Sequence, residues 1–266
     1  MEKKQKKKIL IHSLVFSPDG VSTAYLYNDI ALAFKSAGYD VVVLSTTPHF
    51  NVGPEQLEKQ PMKWGVWGCY KKSFFEGIPV YHVPQKKFKS TLLRVVGFVY
   101  WHIISFIIGL SIKHVDIILS PSPPLTIGRI NNWLGYLKRC KVIYNVQEIY
   151  PDILNKPESS IVTKILRRME QKVYNCSTAV TTIDSVFYNT IVDRIKDKSK
   201  LHIIPNFVDT GLYHSGVSTD ILDKELFPEN ERIKLLYAGN IGYAQDWEPL
   251  VRLAEKTKNL PVDYFL

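Results

Sequence analysis

The chain has 266 residues, 45% hydrophobic and 22% charged, which excludes a disordered polypeptide and leaves room for one large globular domain or two small ones. Its net charge of +9 is partly concentrated in the opening MEKKQKKK. We read residues 1–7 as a solvated basic tail, with contact to an anionic membrane surface as the alternative and no nucleic-acid partner expected. Three widely spaced cysteines, Cys69, Cys140 and Cys176, form no CxxC and argue against a disulfide framework or a zinc site, which points to a reducing compartment.

The basic start followed by ILIHSLVF mimics a signal peptide, but the apolar run is barely long enough and lacks a small-x-small cleavage site. Residues 8–15 (KILIHSLV) instead predict a first strand buried on both faces. After the loop FSPDGVST, a helix places Ala24, Tyr27, Ile30, Ala31 and Phe34 on one face and ends near Gly38. VVVLST (41–46) is a second strand, so the first part of the chain is a βαβ unit, which requires a parallel sheet. The pattern recurs with strands at 115–120 and 141–146 flanking a helix. Next come a helix over 160–175, a strand at 178–183, a helix capped by Asp184, and a strand at 201–205. For the 160–175 helix, Ser159 or Ser160 is the expected N-cap, and Ile161, Ile165, Leu166, Met169 and Val173 are the expected buried stripe. The fold class is therefore an open α/β fold with a Rossmann-like parallel sheet.

Two segments interrupt the alternation. Residues 48–83 show no clear helix; WGCYKKSFFEGIPVYHV reads as a β-hairpin turning at Glu76-Gly77, and an insertion of this kind is expected to serve as a binding loop. Residues 84–114 contain a run of 21 mainly apolar residues from Leu92 to Ile112, near the length needed to span a bilayer. Arg94, His102, Gly97 and Gly109 lie within it, and the βαβ rhythm needs a crossover helix there. We expect a helix buried in the fold or dipping into a membrane interface, with a transmembrane helix as the alternative and the basic lead-in (Lys86, Lys87, Lys89, Arg94) facing anionic headgroups. Beyond a polar stretch, residues 234–240, 246–257 and 262–266 read as strand, helix and strand. A second α/β unit starts there, and two strands and a helix are too few to bury a core of their own, so we expect a truncated chain.

In open parallel sheets ligands bind beyond the carboxyl ends of the strands. The loops there are 17–23, 47–53, 120–126, 147–153, 183–185 and 205–211. Gly20 stands just ahead of a helix, where backbone N–H groups and the helix dipole suit a phosphate, with a plain turn glycine as the competing reading; Ser22, in the same loop, is read as a residue of the acceptor cleft. No GxGxxG or GxxxxGK[ST] is present, which weakens a nicotinamide-dependent or P-loop enzyme. Pro123, in SPSPP, belongs to a rigid turn or to a substrate wall. In QEIYPDI, Glu148 follows a strand directly and Asp152 lies four residues on. Either carboxylate fits a general base acting on a hydroxyl, or a cap for the turn and next helix. His12, in the strand, and His49, in a cleft loop, lack metal-like partners and read as structural; no metal site is expected.

IIPNFVDTGLY (203–213) resembles the junction between the two Rossmann-like domains of GT-B glycosyltransferases of the family 4 type. LLYAGNIGYAQDWEPLV resembles the first strand and phosphate-facing turn of their second domain. The N-terminal ILIHSLVFSPDGVSTAYLYNDIALAFKSAGYDVVVLSTTPHFN, EGIPVYHVP, SPSPP and YNVQEIYPDIL resemble the subgroup of colanic-acid and fucosamine-type transferases. The resemblance spans residues 8–266. It implies an acceptor domain at 8–204, a junction and linker at 205–232, and the start of a donor domain at 233–266. It also implies a retaining, metal-independent transferase with no cofactor, using a nucleotide-diphosphate sugar as substrate and a lipid-linked or oligosaccharide acceptor in surface polysaccharide assembly. In that frame Gly20, Gly239, Asn240 and Gly242 approach the donor diphosphate, Glu148 is an acceptor-side residue, and Asn206 shapes the junction. Many relatives carry an Arg and a Lys where this chain has Asn240 and Gln245, and most of the nucleotide site would lie beyond residue 266. The resemblance further implies a cytoplasmic protein, peripheral at the inner face of the plasma membrane. A non-catalytic acceptor- or lipid-binding module is the alternative.

Overall fold

β-Branched and apolar runs punctuated by short polar loops build a sheet whose strands are covered by helices. The computed structural model describes residues 6–85, 90–154, 160–211, 227–228, 230–239 and 246–265. It divides into two compact units, Met1–Val208 and Asp209–Leu266.

In chain order the first unit contains β1 (Lys8–His12), α1 (Ser22–Ser36), β2 (Asp40–Thr46), α2 (Pro54–Lys59), β3 (Lys63–Trp64), β4 (Lys71–Phe75), β5 (Ile78–Val83) and α3 (Thr91–Ser111). It continues with β6 (Ile117–Pro121), α4 (Leu125–Lys138), β7 (Lys141–Val146), α5 (Ile161–Cys176), β8 (Ala179–Thr182), α6 (Ser185–Ile191) and β9 (Leu201–Ile203). The strand order is β3-β4-β5-β2-β1-β6-β7-β8-β9, parallel except for the antiparallel pairings of β4 with its neighbours. The chain leaves β1 toward β2 and returns to the other side of β1 as β6. That reversal opens a crevice at the carboxyl ends of these two strands, the place where doubly wound sheets take ligands.

Alternating side chains send β1 and β2 to two cores. Ile9, Ile11, Val41 and Val43 pack with Tyr27 and Ala31 of α1. Leu10, Val42 and Leu44 pack with Trp101 and Ile108 of α3, with Ile112 just after it, and with Ile127 and Leu134 of α4. A third cluster joins Tyr144, Val146 and Val180 to Val173 and Tyr174 of α5 and Ile191 of α6. Each such aliphatic side chain contributes about 1.5–3 kcal/mol on full burial.

The hairpin forms as expected. Phe75 pairs with Ile78 across a two-residue turn in which Glu76 (φ 46°) and Gly77 (φ 76°) are both left-handed, the geometry that matches strand twist. The insertion also contains α2, which the apolar pattern does not reveal. Pro54 starts it, and Glu55 pairs with Lys59 on a helix that buries nothing. Through β5 the hairpin extends the main sheet.

Helix α5 departs from the expected stripe. Ile161 and Ile165 are 76% and 58% exposed, while Thr163, Glu170, Val173 and Tyr174 are buried. The helix is turned because Glu170 is drawn inward by Arg167 and Arg194. Ser160 is its N-cap by backbone, without a side-chain hydrogen bond, whereas Asp184 caps α6 by accepting from the Phe187 N–H at 2.7 Å.

Two histidines sit neutral in the interior. His12 donates from Nδ1 to Asn131 Oδ1 at 2.8 Å, and His82 donates from Nδ1 to the Thr46 carbonyl at 3.1 Å. Burial pushes each down to about 4, against hydrogen bonds that favour the charged ring. The unfolded chain takes up these two protons below about 6.5, before the folded unit does. Stability should therefore fall as pH drops from 6.5 toward 4, by about 1.4 kcal/mol per pH unit for each histidine. A urea midpoint that declines across that window checks this; a flat profile contradicts it.

The second unit contains β10 (Ile233–Leu236), α7 (Glu248–Thr257) and β11 (Val262–Phe265). The two strands pair in parallel, and Arg232 Nε donates to Asp263 Oδ1 at 2.6 Å beside that pairing.

Candidate active site

The loops after β1 and β2 are laced together. Asp19 is buried, and its Oδ1 accepts from the backbone N–H groups of His49 and Phe50, each at 2.8 Å. The Gly20 N–H donates to the Phe50 carbonyl at 2.9 Å. A Cβ on Gly20 would lie 2.7 Å from the Asn51 carbonyl oxygen, so this contact requires glycine. With its own N–H engaged, Gly20 leaves anion-facing donors to the first turn of α1, where Ser22 is exposed. His49 hydrogen-bonds through Nδ1 to the Thr47 carbonyl at 2.8 Å and packs on Phe50. A buried relay holds both loops from behind. The Ser17 hydroxyl donates to Gln60 Oε1 (2.6 Å), Gln60 Nε2 donates to Ser73 Oγ (2.8 Å), and Ser73 donates to His82 Nε2 (2.7 Å).

The crevice floor is a set of amides. Tyr27 of α1 donates its hydroxyl to Asn145 Oδ1, and burial raises the phenol's pKa so that it stays protonated. Asn145 Nδ2 donates to Thr181 Oγ1 at 2.8 Å, and its Oδ1 also accepts from Gln147 Nε2 at 2.7 Å. Gln147 and Asn206 then form a reciprocal pair, each amide nitrogen donating to the other's oxygen at 2.9 Å. Asn206 thus ties the segment after β9 to the end of β7. Tyr27, Asn145 and Gln147 are absent from the sequence-based site residues. The one available signal was a polar Asn145 following the apolar run VIY within the strand KVIYNV.

Glu148 is positioned by the SPSPP loop. The Ser122 hydroxyl oxygen accepts from the N–H groups of Gln147 (2.9 Å) and Glu148 (3.1 Å), which places half-buried Pro123 beside this turn. Burial raises the Glu148 carboxyl pKa above its ordinary value, opposed by a hydrogen bond with Tyr150. A carboxylate lifted this way at the mouth of a crevice suits proton abstraction.

Asp152 lies in a different environment. Its Oδ1 accepts from Arg167 Nη2 at 2.5 Å and its Oδ2 from Arg194 Nη2 at 2.6 Å. The same two guanidinium groups reach fully buried Glu170 at 2.9 Å each, and Tyr174 donates its hydroxyl to Glu170 at 2.9 Å. Two carboxylates and two arginines close a ring. Burial works against ionisation of Asp152, but the hydrogen bonds from Arg167 and Arg194 hold its pKa below the usual value. With both oxygens engaged, it is a weak proton acceptor.

The structure thus brings Gly20, Ser22, His49, Pro123, Glu148 and Asn206 to the carboxyl-end loops of one sheet, with Asp152 tied back onto α5. Gly239 belongs to the second unit, where a Cβ would meet the Tyr237 ring hydroxyl at 2.9 Å. Asn240 and Gly242 lie outside the described residues. Among the described residues no group of three His, Cys, Asp or Glu side chains could hold a metal ion.

Comparison with known proteins follows the same outline. The model of Glycosyltransferase Family 4 matches residues 23–212. A protein of Escherichia coli K12 named for glycosyl transfer in colanic acid biosynthesis, WcaI, is 20% identical over 273 residues, covering 96% of this chain and 64% of its own length. The Anabaena protein Alr3699/HepE, solved with UDP-glucose, superposes with a TM-score of 0.60 at 14% identity, over 97% of this chain and 59% of that one. A UDP-N-acetylglucosamine 2-epimerase gives 0.58 at 14% identity, over 98% and 63%. At these identities the superpositions speak for the fold alone, and the chain spans about three fifths of the length of each of these relatives.

Proposed function

The chain belongs to Glycosyltransferase Family 4, with the mostly parallel α/β architecture of GT-B enzymes, and from that premise we propose that it transfers a sugar from a nucleotide-diphosphate donor to a glycan acceptor in surface polysaccharide biosynthesis. One observation carries the reading most directly: the family match runs across the crevice where Glu148 is held with a raised pKa. Glu148 accepts the proton of the attacking acceptor hydroxyl. Asp152 anchors its loop through the arginine ring and takes no proton. The first turn of α1 behind Gly20 receives the donor diphosphate, and Ser22 faces the acceptor side of the cleft. His49, Pro123 and Asn206 line the acceptor side.

In this reading transfer retains the anomeric configuration and needs no divalent metal, as the family resemblance implies. The acceptor is lipid-linked, and the enzyme works at the cytoplasmic face of a membrane. The apolar outer face of α3 supports that placement.

The test is to incubate the complete gene product with a panel of nucleotide sugars and lipid-linked acceptors, with and without a chelator. Acceptor-dependent release of nucleoside diphosphate, unchanged by the chelator, is expected. No release with any donor would reject transfer and favour a non-catalytic acceptor-binding module. Loss of release with the chelator alone would reject only the metal-free chemistry.

A further inference from the structure

Helix α3 has two apolar sides. Trp101 and Ile108 are core, yet Val96, Ile103 and Ile107 on the opposite side are 56%, 54% and 55% exposed. A helix on a water-facing surface normally turns a polar face outward, and this one does not. Helix α4 lies alongside it. His102 of α3 and Thr126 of α4 meet at 2.7 Å near one end, and Lys138 Nζ donates to the Leu110 carbonyl at 2.9 Å near the other. The outer side of α4 adds Trp133, Tyr136 and Leu137, with Tyr136 82% exposed.

The charges around this double face have one sign. Residues 91–114 and 125–141 contain no Asp or Glu, whereas Arg94, Lys113, Arg129, Lys138, Arg139 and Lys141 fall within them. The Arg129 guanidinium lies 5.1 Å from the Trp133 ring. Exposed Trp and Tyr rings suit the headgroup level of a bilayer, where one end is apolar and the other wet. Lys and Arg beside them meet anionic lipid.

We propose that the outer faces of α3 and α4 form one surface that docks, lying flat, into the headgroup region of an anionic bilayer. This rests on the membrane-side acceptor of the reading above and names the surface that brings the crevice there. A flat pose follows from the core: a helix of about 30 Å could span the apolar layer only by pulling Trp101 off the sheet. A second copy of the chain is the less suitable occupant, because isologous contact would set basic residues against basic residues.

The experiment is flotation of the purified chain with phosphatidylcholine vesicles, with and without phosphatidylglycerol, at low and high salt. Two doubly substituted chains accompany it, Ile103→Asp/Ile107→Asp and Trp133→Ser/Tyr136→Ser, each checked by circular dichroism for an unchanged fold. Binding should require phosphatidylglycerol, weaken with salt, and drop about tenfold or more in each variant. Binding unchanged in both variants, or no binding to either vesicle, overturns the proposal. So does a dimer that both variants dissolve without any vesicle binding. Flotation is scored without sugar transfer. Vesicle binding by a protein that releases no nucleotide would count against the transferase reading alone.

Discussion

Arg194→Ala should destabilise the first unit by about 3–5 kcal/mol, the usual consequence of removing one partner from a buried ion pair. Glu170 is fully buried, and Arg194 meets both of its oxygens at 2.9 and 3.2 Å while also holding Asp152. Without it, Arg167 is the one remaining cation on two carboxylates. Arg194→Lys should recover only part of the loss, because an ammonium cannot fork to two carboxylates at once. The urea midpoint of each variant measures this, and a loss below about 1 kcal/mol would mean that the ring behaves as an exposed pair. Acid acts on the ring's two carboxylates in opposite directions, because burial raises the pKa of Glu170 above its ordinary value. The pKa of Asp152 is lowered in the fold, so its contribution is present above the ordinary carboxylate range and is lost as pH falls through the folded value.

Glu148→Gln should lower the transfer rate about 10²–10⁴-fold, the range over which a positioned acid–base group contributes. Its effect on stability should be small, since the side chain is half-buried and its backbone, which Ser122 holds, is unchanged by the substitution. The pH profile separates proton transfer from packing. A base must be ionised to act, so activity should rise with pH through the raised pKa of Glu148, and the glutamine variant should lose that limb. Asp152→Asn should show the opposite balance, with lowered stability and an intact limb.

These two carboxylates also mark how far the sequence could be read. Both stand in one heptapeptide, QEIYPDI, and nothing local distinguishes them. The arginines that capture Asp152 lie 15 and 42 residues away in sequence, so its assignment depends on tertiary contacts. The same contacts explain why the α5 stripe is turned: apolar spacing nominated Ile161 and Ile165, but a charged residue with two distant partners occupies the interior instead. Tyr27 was legible as a buried helix position but not as a donor to Asn145, 118 residues on. What was legible rests on local rules. The βαβ alternation, the left-handed Glu76-Gly77 turn and the Asp184 cap each follow from neighbouring residues alone. Asn206 could be picked out as part of a junction-like motif, though its amide partner Gln147 could not.

We propose that the crevice around Glu148 is where sugar transfer takes place. The most direct test is incorporation of radiolabelled sugar from a nucleotide-sugar panel into a lipid-extractable product, comparing the complete wild-type protein with Glu148→Gln. Label is expected in the lipid phase for wild type, with its near-complete loss in the variant. Equal labelling by the two proteins, or no labelling from any donor, would contradict it.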